Sequence, residues 1–248
     1  MGTQERKQRQ FAEREQRFLD AARAQICEQG LLSLQMAPVA RACDYATGTL
    51  YQHFASKEDL LCAICAEMAE KRVEKFRNVV KWGASTRERM FGFAVADMLF
   101  ARENPEHFRL HQYVLTEVVW QAASPRRREQ LLEANRPLGD MVGTVIAEAV
   151  ACGDLDNRGR APLELGIGQW CLVTGMHNLV HAQGVLEIYN LNEPYRLMLQ
   201  QLNALLNGLG WQPTADSFDD AALQRTVDRI RTELFPELCP QDPAGTAH

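Results

Sequence analysis

The chain has 248 residues, 46% of them hydrophobic and 24% charged, and a formal net charge of −5. This is enough apolar material for one large domain or two modest ones, and it excludes wholesale disorder. No apolar run approaches the roughly 18 residues of a membrane span, the polar start MGTQERKQRQ lacks the apolar core of a signal peptide, and seven scattered cysteines read as reduced thiols rather than a disulfide framework, so a cytoplasmic protein with no membrane partner is expected.

Helical periodicity governs nearly every segment. Phe11, Phe18, Ala22, Ile26 and Cys27 mark one face of a first helix that stops at Gly30. Leu31 to Gln35 form a short connection, and Pro38 lies near the start of the next helix, where its missing N–H costs little. Ser56 is placed to cap a long helix from Lys57 to about Lys81, with Glu58 and Asp59 at its positive end. Further helices are expected near 85–104, 105–120, 125–152, 162–184 and 193–209, followed by an amphipathic stretch from Asp216 to Phe235. Stops fall at Gly153, Gly184 and Gly208 to Gly210. The reading is an all-α chain of nine or ten helices without strands. It divides into an N-terminal three-helix domain (1–57), a helical body (58–236) and a loose tail (237–248).

The segment APVARACDYATGTLYQHF, Ala37 to Phe54, is the most informative. It reads as helix, tight turn, helix. Val39 and Leu50 are placed to meet across the turn, and Asp44 falls where the turn needs a left-handed residue. Leu50 and Phe54 form an apolar face. Gly48 leaves room for close backbone approach, and Thr47, Thr49, Tyr51, Gln52 and His53 are left on the outward side, where hydroxyls and amides can bond phosphates or base edges in a major groove. Charge has the matching asymmetry: residues 1–57 hold eight Lys and Arg against six Asp and Glu, and the rest holds 19 against 26. Arg6, Lys7 and Arg9 are either a basic arm on the DNA backbone or a plain solvated tail.

At these residues the chain closely resembles the tetracycline-repressor (TetR) family, over roughly residues 13–65. The resemblance rests on the helix closing at Gly30, the GTLY of Gly48 to Tyr51, Phe54, and the SKEDLL of Ser56 to Leu61. It implies an all-helical homodimer that binds a palindromic operator through its N-terminal domain and a small-molecule effector in its body. Effector binding would release DNA by changing the spacing of the two heads. By position, Thr47 and Thr49 would contact bases or nearby phosphates, and Tyr51, His53 and Lys57 mainly phosphates. Two residues depart from the family pattern: Asp44 replaces a turn glycine, and Ala46 replaces a serine cap, at a cost of ~1 kcal/mol if Thr47 does not take over that duty. Half-sites about one helical turn apart, ~34 Å, are expected in the simplest case.

The body carries no P-loop, GxSxG or dinucleotide fingerprint, so neither catalysis nor a cofactor is expected. In this family the effector pocket lies between the body helices. The candidates to line it are Phe93, Phe100, Phe108, Tyr113, Trp120, Met141, Trp170, Met176 and His177, residues that serve equally as ordinary core. His107 with His111, and His177 with His181, stand at i, i+4, and Cys62 and Cys65 form a CxxC. Neither pattern supplies a full ligand set, so no metal site is assigned, and a redox or metal sensor on the same scaffold is the alternative reading. An all-helical carrier is a more distant one. Two apolar stripes point to dimerisation through helices near 162–184 and 193–209: Leu165, Trp170, Leu172, Val173, Met176 and Val180, and Leu197, Leu199, Leu202, Leu205 and Leu206. Either could be core within one subunit. The Asp216 to Phe235 helix would cap the body or extend that interface.

Overall fold

The computed structural model of the chain describes residues 2–238. In chain order it contains α1 (Thr3–Gln29), α2 (Met36–Ala42), α3 (Thr47–Tyr51), α4 (Lys57–Lys81), α5 (Thr86–Glu103), α6 (Pro105–Val114), α7 (Glu117–Ala122), α8 (Pro125–Cys152), α9 (Pro162–His181), α10 (Pro194–Gly208) and α11 (Asp220–Leu234), with three short 3-10 turns and no strand among the described residues. Most of the expected loose tail, residues 239–248, lies outside the described residues. Arg6, Lys7 and Arg9 sit inside α1 and form no extended arm. The helix expected over 105–120 is two. The break comes at Leu115–Thr116, where Thr116 turns extended (ψ 146) and its hydroxyl donates to the Tyr113 carbonyl at 2.7 Å.

Among the described residues the chain packs as two units, the first comprising residues 2–71 and 104–136, the second 72–103 and 137–238. Helix α4 contributes to both. Its 25 residues span about 37 Å, longer than a three-helix head can cover. Leu60, Leu61, Cys62, Ile64 and Cys65 from its first half join the core of the first unit, and Val73, Phe76 and Val79 from its second half join that of the second.

In the first unit, Phe18, Ala22 and Ile26 of α1 meet Val39 of α2 and Leu50 and Phe54 of the α3 region, all buried. Gly30 ends α1 with φ 85, a left-handed conformation that glycine adopts without cost. Ser56 takes the capping role its position suggested: its Oγ accepts from the Asp59 amide at 3.1 Å.

In the second unit, α5 is buried on nearly all sides. The additional helix α11 packs Leu223, Val227 and Ile230 into the core that α5 shares, and so caps the body within its own subunit. Arg87, near the start of α5, is buried without a carboxylate. It donates instead to the Trp211 carbonyl (2.7 Å), the Asn203 carbonyl (3.2 Å) and the Asn207 side-chain oxygen (2.7 Å), which closes the C-terminal end of α10 against α5. A cation at a helix C-terminus is favourable, and orphaned buried acceptors are costly. Arg87→Met should therefore destabilise the second unit by about 3 kcal/mol, read as a lower urea midpoint. A shift below about 0.5 kcal/mol would mean that these acceptors find water instead.

Candidate nucleic-acid interface and effector site

The head places a helix-turn-helix on the surface of the first unit. Asp44 adopts φ 61, as the turn requires, and the Tyr45 amide reaches back to the Ala40 carbonyl at 3.0 Å. Val39 and Leu50 lie in one buried core and fix the turn from beneath. Ala46 occupies the N-cap of α3, and no side chain bonds the free amides there, so Thr47 does not take over the capping role.

Thr47 and Thr49 are half-buried, while Gly48, Tyr51 and Gln52 are exposed. A Cβ at Gly48 would meet nothing within 4 Å, so nothing inside the head asks for glycine at this position. Phe54 is fully buried. The Lys57 ammonium donates to the Leu32 carbonyl at 3.4 Å from an exposed position.

His53 departs from its expected place. Its side chain is 0% exposed. The ring stacks on Phe11 at 3.8 Å between centroids, and Nδ1 lies 3.4 Å from a Glu15 carboxylate oxygen. Burial lowers its proton affinity, partly offset by Glu15. The expectation of a phosphate contact is corrected: an imidazole enclosed by Phe11, Phe18 and Glu15 faces inward and serves as an internal prop.

The nine residues expected to line an effector pocket fall in both units. Phe108, Tyr113 and Trp120 belong to the first, Tyr113 and Trp120 packing on the head's core. Phe93, Met141 and Met176 meet in the core of the second, and Phe100 and His177 are buried there. Met141 also helps line an open cleft of about 290 Å3 between α4 and α8, with Arg77, Val80, Lys81, Pro137, Asp140 and Thr144. Trp170 does not line an internal site of the described chain: it is 60% exposed.

The dimer stripes need a related correction. Leu165 and Val173 of α9, and Leu199, Leu202 and Leu206 of α10, are buried in the second unit's own core. The outward apolar face of α9 is instead Leu163, Ile167 and Trp170, each between 47% and 60% exposed. Helix α9 is apolar on two sides, and spacing along one face does not reveal the other.

A polar cluster within the body was not legible in the sequence. Arg72 grips Asp97 with two parallel bonds, Nε–Oδ1 at 2.6 Å and Nη2–Oδ2 at 2.7 Å. His177 Nδ1 lies 3.3 Å from the Tyr195 hydroxyl, and Arg102 sits 4.8 Å from the Tyr195 ring centre. These groups come from α4, α5, α9 and α10, and no spacing in the chain relates them. Burial lowers the His177 pKa to about 4 and raises that of Tyr195, so both are neutral at pH 7 and can donate or accept.

The cysteine pair of α4 is buried, and burial pushes the Cys62 thiol up to about 11 and raises Cys65 as well, which disfavours the thiolates that redox or metal chemistry would use. Among the described residues, no group of three or more His, Cys, Asp or Glu is arranged to hold a metal ion. No helix there is long and apolar enough to cross a membrane.

Residues 18–64 match the sequence profile described as bacterial regulatory proteins, tetR family. Over 65 residues the chain is 38% identical to the HTH-type transcriptional regulator UidR of Escherichia coli K12, a match that covers 26% of this chain and 33% of UidR. Over 143 residues it is 25% identical to the HTH-type transcriptional repressor KstR2 of Mycobacterium tuberculosis H37Rv, covering 56% of this chain and 70% of KstR2. The fold superimposes on the FadR regulator of Bacillus subtilis, solved in complex with stearoyl-CoA, with a TM-score of 0.57, 17% identity, and 78% of this chain and 98% of that one covered.

The His177 environment sets a pH dependence. The folded form resists protonation down to about 4, and an unfolded histidine titrates near 6.5. Between those values the unfolded chain binds more protons, so stability is lost as pH falls. Asp97 opposes the shift, and Arg72, His181 and Arg102 add to it. Between pH 7.5 and 5 this one group should cost roughly 2 kcal/mol. Urea denaturation of His177→Gln should show a stability curve flatter by that amount. An unchanged slope would place the acid sensitivity elsewhere.

Proposed function

We propose that this chain, whose residues 18–64 match the tetR family of bacterial regulatory proteins, is a homodimeric, ligand-responsive transcriptional repressor that binds a palindromic operator and is released by a small hydrophobic or amphipathic effector. The carrying observation is the surface of α3. Its buried face holds Leu50, Thr47 and Thr49 are half-buried, and Gly48 and Tyr51 are exposed, with nothing inside the head within 4 Å of a Cβ at Gly48. A glycine in a five-residue helix is a cost without a packing return, and close approach of a DNA backbone gives it a purpose. In this reading Thr47 and Thr49 contact bases or adjacent phosphates, Tyr51 takes a phosphate, and Lys57 exchanges the Leu32 carbonyl for one.

The second copy docks on the outward face of α9. A helix that is apolar on both sides is normally covered on both, and Leu163, Ile167 and Trp170 would be covered by their counterparts across a two-fold axis. The effector would sit among the apolar side chains of the body, with Phe93, Phe100, Met141, Met176 and His177 as lining residues and the hydroxyl of Tyr195 beside His177 as a polar anchor. The stearoyl-CoA of Bacillus subtilis FadR, which shares this fold, supports an acyl or similarly apolar ligand. Response would pass through α4, whose two halves belong to different cores.

Selection from a random duplex library at physiological salt should enrich a palindrome, and Tyr51→Ala should weaken binding to it by about tenfold or more. Enrichment of no sequence by the ligand-free protein would overturn the regulator reading. Trp170→Glu should convert the dimer to a monomer in sedimentation at micromolar concentration. A variant that remains dimeric would move the interface off this face of α9.

A further inference from the structure

We propose that Arg127, on the first turn of α8, is a positioning residue for operator recognition: it fixes the pose of the recognition helix without touching DNA. The inference rests on the DNA-binding reading above. Helix α3 has five residues, too few for its own hydrogen bonds to hold it in place. Leu50 and Phe54 anchor one face in the core. Its last carbonyls need partners from outside the helix.

Arg127 ties down the chain just past that end, at the carbonyl two residues beyond Tyr51. Its Nη2 donates to the His53 carbonyl at 2.9 Å and lies 2.9 Å from Glu15 Oε1 of α1. Nη1 donates to Gln130 at 3.0 Å, and the guanidinium lies 4.6 Å from the Phe54 ring centre. Glu15 Oε2 in turn faces His53 Nδ1 at 3.4 Å. One planar fork thus joins α1, the segment just after α3 and α8, and His53 is held by both its carbonyl and its ring. The Arg127 side chain is 7% exposed, so it is not a phosphate ligand.

A second tie runs beside it. Asp59, 3% exposed, accepts from the Ser124 amide at 2.6 Å and from the Ala55 amide at 3.2 Å. The α7–α8 corner is therefore clasped to the segment between α3 and α4 at two points. A buried ion pair adds little net stability but fixes geometry, and a guanidinium does so with a directionality that an ammonium lacks. His53 lies two residues beyond Tyr51, so a shift of its carbonyl is a shift of the DNA-facing helix.

The test uses the full chain, its selected palindrome and a scrambled duplex of equal length at one salt concentration. The readout is the ratio of the two affinities for wild type, Arg127→Met, Arg127→Lys and Glu15→Gln, with thermal unfolding of each. Arg127→Met should lose at least tenfold in the ratio while scrambled-duplex binding stays within twofold, and Arg127→Lys should fall between it and wild type. A role confined to stability would lower the melting temperature and leave the ratio alone. Ratios within twofold of wild type in the folded variants would overturn the proposal. Should Arg127→Met not fold, the two milder variants decide by the same criterion. A wild-type protein that selects no palindrome is a different result: it removes the regulator reading, and this inference with it.

Discussion

A helix of five residues cannot hold itself in place, and much of the first unit is organised around that constraint. Nucleation costs more than one turn of hydrogen bonds returns, so α3 exists because other elements define its ends and its buried face. The left-handed Asp44 sets where it begins, Leu50 and Phe54 set which side is down, and Arg127 holds the chain just past its far end, at His53. Residues outside the helix-turn-helix, Glu15 on α1 and Ser124 and Arg127 at the α7–α8 corner, help to hold this short helix and the segment after it.

The same constraint explains why the head does not end where the motif ends. Helix α4 starts under the recognition helix, with its cap at Ser56 and Asp59 serving the loop before it. It ends among Val73, Phe76 and Val79 in a different core. Its two halves thus lie in different cores, and the coupling proposed between effector and DNA would run along it.

Within the second unit, apolar packing is interrupted at a few chosen places. The Arg72–Asp97 pair and the His177–Tyr195 contact bring polar groups from four helices into a region otherwise filled by Phe, Met and Leu. Buried polar groups are costly unless satisfied and are therefore directional. In the proposed reading they would orient the effector that the apolar side chains bury. The outward side of α9 carries the opposite feature, large apolar side chains with no cover inside the subunit.

Read alone, the sequence determined the all-helical class and the local course of the helix-turn-helix. Helical spacing, the stop at Gly30, the cap at Ser56 and the GTLY segment fix local conformation, and local conformation is governed by neighbours along the chain. Asp44 in the left-handed region and Phe54 in the core were legible for that reason. What the tertiary structure decided is what depends on residues far apart in the chain. The imidazole of His53 turned inward because α1 brings Phe11 and Glu15 to it. Trp170 and the leucines of α9 and α10 divided between an inner and an outer face because α9 is apolar on both, and only packing against α10 shows which is which. Arg72 with Asp97, and Arg127 with His53 and Glu15, are separated by 25, 74 and 112 residues. Periodicity carries no information across such distances, so the clasp on the recognition helix came from the fold alone.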